Sequence, residues 1–180
     1  MFGSGDDLRA RFGHDALAWA DALHNLARYL TRSDADADDL VQEAYARAMA
    51  SAGRFRAGSN LKAWLFRILR NAWLDHERRR GNDPAKPGGG LLEADPPDES
   101  AELLRDDLEL TWLRRLVAAD IEAALRQLGE EARTVILLDL EGLRDVEIAE
   151  VMACSVGTVK SRLSRARVTL RQELRAYRGR

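Results

Sequence analysis

The stretch EGLRDVEIAEVMACSVGTVKSRLSRAR, Glu141–Arg167, decides the fold. In its second half Val156, Val159, Leu163 and Ala166 recur at three- and four-residue steps, continued by Leu170 and Leu174, and make one apolar stripe along a helix. Ser155 stands just ahead of the stripe, where a side-chain oxygen can cap the first turn. The first half predicts a short helix, Asp145 to Met152, separated from the second by little more than Ala153 and Cys154. Two short helices joined by so tight a turn make a helix-turn-helix, whose second helix can lie in a DNA major groove. With the stripe turned to a core, Lys160, Ser161, Ser164 and Arg165 project away from it, and Arg162 and Arg167 lie close by. Arginine and lysine suit guanine acceptors, and serine hydroxyls donate or accept. A merely solvated basic face is the alternative for any basic helix. Here the cap, the tight turn and the small serines between long cations favour a groove-facing surface.

The surrounding chain has 180 residues and a formal net charge of -2 at pH 7, which is no obstacle because its charges are segregated. Acidic residues crowd 34–43 and 93–109, whereas basic ones crowd 67–80 and 160–180. The local field, not the sum, governs binding of a polyanion. All four prolines fall within GNDPAKPGGGLLEADPPDES, Gly81–Ser100, together with a glycine run. Such a composition opposes helix and strand, so this segment predicts a flexible tether between two modest domains. A long loop inside one domain is the alternative, but structureless loops of that length are unusual in compact folds. The expected division is 1–80, then a linker over 81–105, then 106–180.

The first piece reads as helices. Ala16 to Leu30 places Leu17, Ala20, Leu23, Leu26, Ala27 and Leu30 at helical spacing; Ser33 or a following aspartate caps a second helix through Met49; a third runs from about Asn60 to Arg80. In the second piece Leu103 to Leu128 reads as an amphipathic helix with Gly129 as its stop, followed by Glu130 to Leu140, Asp145 to Met152 and Val156 to about Tyr177. No alternating run of strand length appears, so the fold class is all-α. The third helix of the first piece, with its approach, RFRAGSNLKAWLFRILRNAWLDHERRR, interleaves cations with Phe55, Trp64, Phe66 and Trp73. That mixture suits single-stranded nucleic acid, where bases stack while the backbone is neutralised. Aromatics buried in a small helical core explain it equally well.

Taken together, the two basic segments resemble the extracytoplasmic-function (ECF) sigma factors, group IV of the sigma-70 family, which direct bacterial RNA polymerase to promoters. DADDLVQEAYARAM, Asp36–Met49, looks like their polymerase-binding helix; FRAGSNLKAWLFRILRN, Phe55–Asn71, looks like their promoter-melting segment; and Glu141–Arg167 looks like their C-terminal helix-turn-helix. The resemblance covers most of both domains, in the family order, around a variable linker. It implies that region two binds the clamp helices of the polymerase's largest subunit through Asp39, Leu40, Gln42 and Glu43. It places Phe55 and Asn71 near a flipped minus-ten base, supported by Asn60, Lys62, Trp64, Arg67 and Arg70. It assigns the minus-thirty-five duplex to Lys160, Ser161, Ser164 and Arg165, with Arg162 and Arg167 on phosphates. It also implies a contact with the flap of the second-largest subunit, an acidic linker threading the polymerase channels, and an anti-sigma factor as regulatory partner. Three positions depart from the pattern: Ala57, where proline is common; Asp145, where tyrosine is common; and Ala153, where glycine is usual and a left-handed turn costs alanine about 1 kcal/mol.

No catalytic chemistry, cofactor or metal is expected. His14, His24 and His76 lack metal-ligand spacing, and the single Cys154 reads as a small, half-buried thiol rather than a redox sensor. The stretch MFGSGDDLRARFGHD lacks the apolar core of a signal peptide, and no apolar run approaches the roughly 18 residues of a membrane span. The expected location is therefore the cytoplasm, at the nucleoid when active or held at the membrane by an anti-sigma factor. The short tail ending at Arg180 suggests no added autoregulatory domain. Two rivals remain: a stand-alone helix-turn-helix regulator acting on duplex operators, and a magnesium nuclease built on the carboxylates of 34–43. The latter run has the periodicity of a partner-binding helix, which disfavours the nuclease.

Overall fold

The computed structural model describes residues 13–56, 58–81 and 119–175, and every regular element among them is helical. The expected linker and the expected helix from Leu103 to 118 lie outside the described residues, as does Ala57. A first group of helices comprises α1 (Ala20–Thr31), α2 (Asp34–Ala50) and α3 (Leu61–Gly81), each packed on the other two. A second comprises α4 (Glu130–Leu140), α5 (Asp145–Met152) and α6 (Val156–Glu173). Among the described residues no helix is long and apolar enough to cross a membrane.

Side-chain caps set several helix starts, two of them, at Ser33 and Ser155, where the sequence predicts them. Ser33 Oγ accepts from the Asp36 amide at 3.2 Å and starts α2; Asn60 Oδ1 accepts from the Ala63 amide at 3.2 Å and starts α3; Ser155 Oγ accepts from the Thr158 amide at 3.0 Å and starts α6. Each satisfies an amide that the first helical turn leaves without a backbone partner. In the N-terminal core, Leu40 and the alanines 37, 44 and 48 of α2 lie against Leu23 and Leu26 of α1 and Leu65, Phe66 and Leu69 of α3. The alanines let three backbones approach closely.

Two sequence expectations change here. The helix expected over Ala16 to Leu30 is broken: residues 13–17 are helical, a turn follows at 18–19, and α1 begins at Ala20. The break rotates Leu17 out of the stripe, leaving it 63% exposed, while Ala16 is buried and its carbonyl accepts from Tyr45 Oη at 3.0 Å. Gly129 is not a left-handed helix stop. With φ -58° and ψ 150° it precedes α4 as its N-cap. The helix over residues 119–126 is closed instead by the buried Arg133 of α4, which donates to the carbonyls of Leu125, Arg126 and Leu128 at 2.9, 3.0 and 2.8 Å.

Ala153, between α5 and α6, has φ 51° and ψ 45°, the left-handed conformation that alanine resists. Its amide donates to the Ala149 carbonyl and that of Cys154 to the same oxygen at 3.0 Å, so the turn is a hydrogen-bonded helix end held against the side chain's preference. Ala153→Gly is expected to raise stability by about 0.5–1 kcal/mol, visible as a higher urea midpoint with unchanged slope. A lower midpoint would mean that the backbone freedom glycine gains in the unfolded chain outweighs the relieved strain.

Candidate nucleic-acid interface

The C-terminal surface is built by the α5–turn–α6 unit. Val159, Leu163 and Ala166 are buried, which fixes the rotation of α6 and leaves Lys160, Ser161, Ser164, Arg165 and Arg167 exposed on its outer face. Arg165 Nε reaches only back along its helix, to the Ser161 carbonyl at 3.3 Å. Lys160, Ser164 and Arg167 line a groove of about 310 Å³ with Arg171 and with Asp145 of α5. Arg171 was missed as a site residue, although it follows Arg167 and Ser164 at helical spacing. Asp145 puts a carboxylate among these cations.

Arg162 and Arg167 are less available. Arg162 is 23% exposed and pairs with Glu131 Oε2 of α4 at 2.7 Å, while it also approaches Cys154 Sγ at 3.7 Å. Arg167 pairs with Asp139 Oδ2 of α4 at 2.8 Å. A phosphate must therefore compete with a carboxylate at both positions. Cys154 itself is half-buried.

The second surface is α3 with its approach. Phe55 and Trp64 stack with ring centroids 5.5 Å apart, tilted by 60°. Arg67 and Asn71 are exposed, one turn apart. The three other expected members of this surface are engaged by the C-terminal helices. Asn60 Nδ2 donates to Glu147 Oε1 at 3.1 Å; Lys62 Nζ meets the Glu141 carbonyl at 2.6 Å and its Oε2 at 2.7 Å; Arg70 Nη2 meets Glu131 Oε1 at 3.3 Å. Lys62 also lies over the Trp19 ring, 4.8 Å from its centroid. Asn60 is thus a helix cap as much as a surface residue.

Glu147 is held well below the ordinary glutamate value of 4.5, at about 2, chiefly by the Arg144 guanidinium at 2.7 Å and also by the Arg144 amide and Asn60. It is therefore a carboxylate at neutral pH. Among the described residues there is no group of three His, Cys, Asp or Glu that could hold a metal.

The helix expected to bind a protein partner is α2. Asp39 and Gln42 are exposed on it. Leu40 is not: it is 0% exposed in the core, so it seats the helix and cannot touch a partner. The sequence motif mixes outward and inward positions of one helix, and Leu40 is an inward one. Glu43 is half-buried and engaged by Arg47 at 2.6 Å and His76 at 2.5 Å. Burial pushes its carboxyl up, but the hydrogen bonds from His76 and Arg47 outweigh this and leave it below the ordinary value.

The Sigma-70 region 2 family matches residues 17–82 and the Sigma-70 region 4 family matches residues 118–170. The chain is 36% identical over 157 residues to the ECF RNA polymerase sigma factor SigE of Mycolicibacterium smegmatis, covering 86% of this chain and 58% of that protein. It is 35% identical over 159 residues to the ECF sigma factor EcfG of Rhodopseudomonas palustris, covering 87% of this chain and 81% of that protein. Among solved structures, the sigma factor RpoE in complex with the anti-sigma factor NepR from Bartonella quintana is similar at a TM-score of 0.71 and 34% identity, covering 92% of this chain and 97% of that one.

Proposed function

The chain belongs to the ECF sigma factors of the sigma-70 family, and from that premise we propose that it binds core RNA polymerase, recognises a bipartite promoter and helps to melt it. The observation that carries this reading is the pairing, in one chain, of two different nucleic-acid surfaces: the outer face of α6, shaped for a duplex groove, and the cation-and-aromatic face of α3, shaped for a separated strand. A stand-alone duplex regulator accounts for the first surface and leaves the match of residues 17–82 unexplained.

In this reading 1–80 is region two, 81–105 the linker and 106–180 region four. Asp39 and Gln42 face the clamp helices of the largest polymerase subunit, with Glu43 joining them only by leaving Arg47 and His76. Phe55, Trp64, Arg67 and Asn71 meet the minus-ten strand, joined by Asn60, Lys62 and Arg70 once their carboxylate partners withdraw. Lys160, Ser161, Ser164 and Arg165 read the minus-thirty-five duplex, and Arg162, Arg167 and Arg171 neutralise its backbone. Region four meets the flap of the second-largest subunit. The protein acts in the cytoplasm without a cofactor and catalyses no reaction itself. An anti-sigma factor is its regulatory partner, as the Bartonella RpoE structure shows for that relative.

The test is transcription from fragments of the protein's own genome by purified chain plus core enzyme. Promoter-specific transcripts that require both are expected, and their absence from every fragment overturns the reading. Asn71→Ala extends the test to the minus-ten surface: closed-complex formation is expected to survive while opening slows about tenfold, the loss of one well-placed hydrogen-bonding group. Undiminished permanganate reactivity of the bubble in that variant would remove Asn71 from the strand surface.

A further inference from the structure

The groove beside the outer face of α6 holds a carboxylate for which the duplex contacts so far have no use. Asp145, in the first turn of α5, lines it together with Lys160, Leu163, Ser164, Arg167 and Arg171 of α6. The carboxylate is half-buried, yet among the described residues its side chain takes part in no ion pair and no hydrogen bond, although cations share the groove with it. The Lys160 side chain is exposed and equally unengaged, whereas Arg167 is held by Asp139. Nor does α5 need Asp145 for its start. The Glu147 carboxylate takes the Arg144 amide at 2.8 Å, closes the capping box and already supplies the first-turn negative charge that a helix dipole favours. An acid and a base that share a groove and leave each other unpaired are both available to a third group.

A duplex offers such a groove phosphate oxygens, base acceptors and the amines of cytosine and adenine. A carboxylate is repelled by the first two and can accept only from the amines. A G·C pair sets the O6 and N7 acceptors of guanine, which suit an ammonium, beside the N4 amine of cytosine, which suits a carboxylate. Resting on the assignment of the outer face of α6 to the minus-thirty-five duplex, we propose that Asp145 is a specificity-determining residue of that reader. It accepts from the N4 amine of a cytosine in the element while Lys160 donates to the paired guanine. Lysine alone is a compact charge on a flexible stem and tolerates many arrangements of acceptors. The carboxylate removes that tolerance, because a thymine in place of the cytosine turns its O4 acceptor toward a negative charge.

The experiment uses the full chain assembled with core polymerase, and promoter fragments whose minus-thirty-five element is randomised; the base preference of the bound fraction is read at every position. The unaltered chain is expected to require a G·C pair in one orientation at one position. Asp145→Ala is expected to lower that preference about tenfold, chiefly by admitting T·A in place of C·G. A loss of folded protein lowers binding of all sequences alike and does not imitate a change at one position. An equal gain for all sequences, with a steeper salt dependence, means that the carboxylate only repels phosphates and overturns the inference, and so does an unchanged preference. Lys160→Ala and Arg165→Ala separate this failure from that of the underlying assignment. If either relaxes a base position while Asp145→Ala relaxes none, α6 reads the duplex and Asp145 does not. If neither alters any preference, the outer face of α6 does not read bases, and the inference falls with the assignment.

Discussion

Replacing Arg133 with methionine is expected to destabilise the C-terminal helices by about 3 kcal/mol, more than any exposed cation on α6 contributes. The guanidinium is buried, and its pKa is lowered mainly by that burial; Glu130 and Tyr29 offset part of this, and the rest of its support comes from the groups it bonds. Those groups are the three backbone carbonyls that end the helix over residues 119–126. Methionine fills the space but takes the guanidinium donors from three oxygens, leaving that of Leu125 with the Leu128 amide at 3.2 Å and those of Arg126 and Leu128 stripped of theirs, and unsatisfied buried polar groups cost far more than the net gain of the bonds lost. The expected result is a lower urea midpoint and loss of duplex binding at temperatures where the unaltered chain is folded. Because one lysine ammonium cannot reproduce the planar fork, Arg133→Lys is expected to recover only part of the loss. A methionine variant as stable as the unaltered chain would show that water reaches those carbonyls.

Arg165→Ala is expected to relax the choice of one minus-thirty-five base by about 1–3 kcal/mol while leaving stability nearly untouched. The side chain is exposed and its contact with Ser161 lies within its own helix turn, so truncation strands no partner. Arg162→Ala is expected to act differently. Its guanidinium points toward α4, where it pairs with Glu131, so it meets a duplex backbone only by leaving that carboxylate; its loss is expected to lower affinity evenly over all sequences, to flatten the salt dependence and to loosen the packing of α6 on α4. Binding of each variant to every single-base substitution of the element distinguishes the two. A uniform loss for both would mean that α6 touches the backbone alone.

Much of this architecture was legible from local chemistry. Ser33 and Ser155 mark helix starts because a capping oxygen acts on an amide two or three residues away, within reach of any reading of the chain. The stripe of Val159, Leu163 and Ala166 fixed which residues of α6 face outward, since burial of one face determines the other. The left-handed turn at Ala153 was legible only through the resemblance, which has glycine at that position, and not through local spacing. Leu17 escaped that logic: a periodic pattern continues through a turn that breaks the helix, and nothing in the spacing marks the turn at 18–19. Leu40 escaped it differently, since a motif identifies a helix without saying which of its residues point inward. The pairs closing α3 were beyond any local reading. Asn60 and Glu147 are 87 positions apart, and the burial of Arg70 comes from helices on the far side of the linker.

The double attachment of Glu131 ties three helices at one side chain. Its Oε1 meets Arg70 of α3 and its Oε2 meets Arg162 of α6, while its own backbone belongs to α4. The two pairs are therefore not independent: any substitution of Glu131 takes a counter-ion from both arginines at once, and a double-mutant cycle between Arg70 and Arg162 reads that coupling.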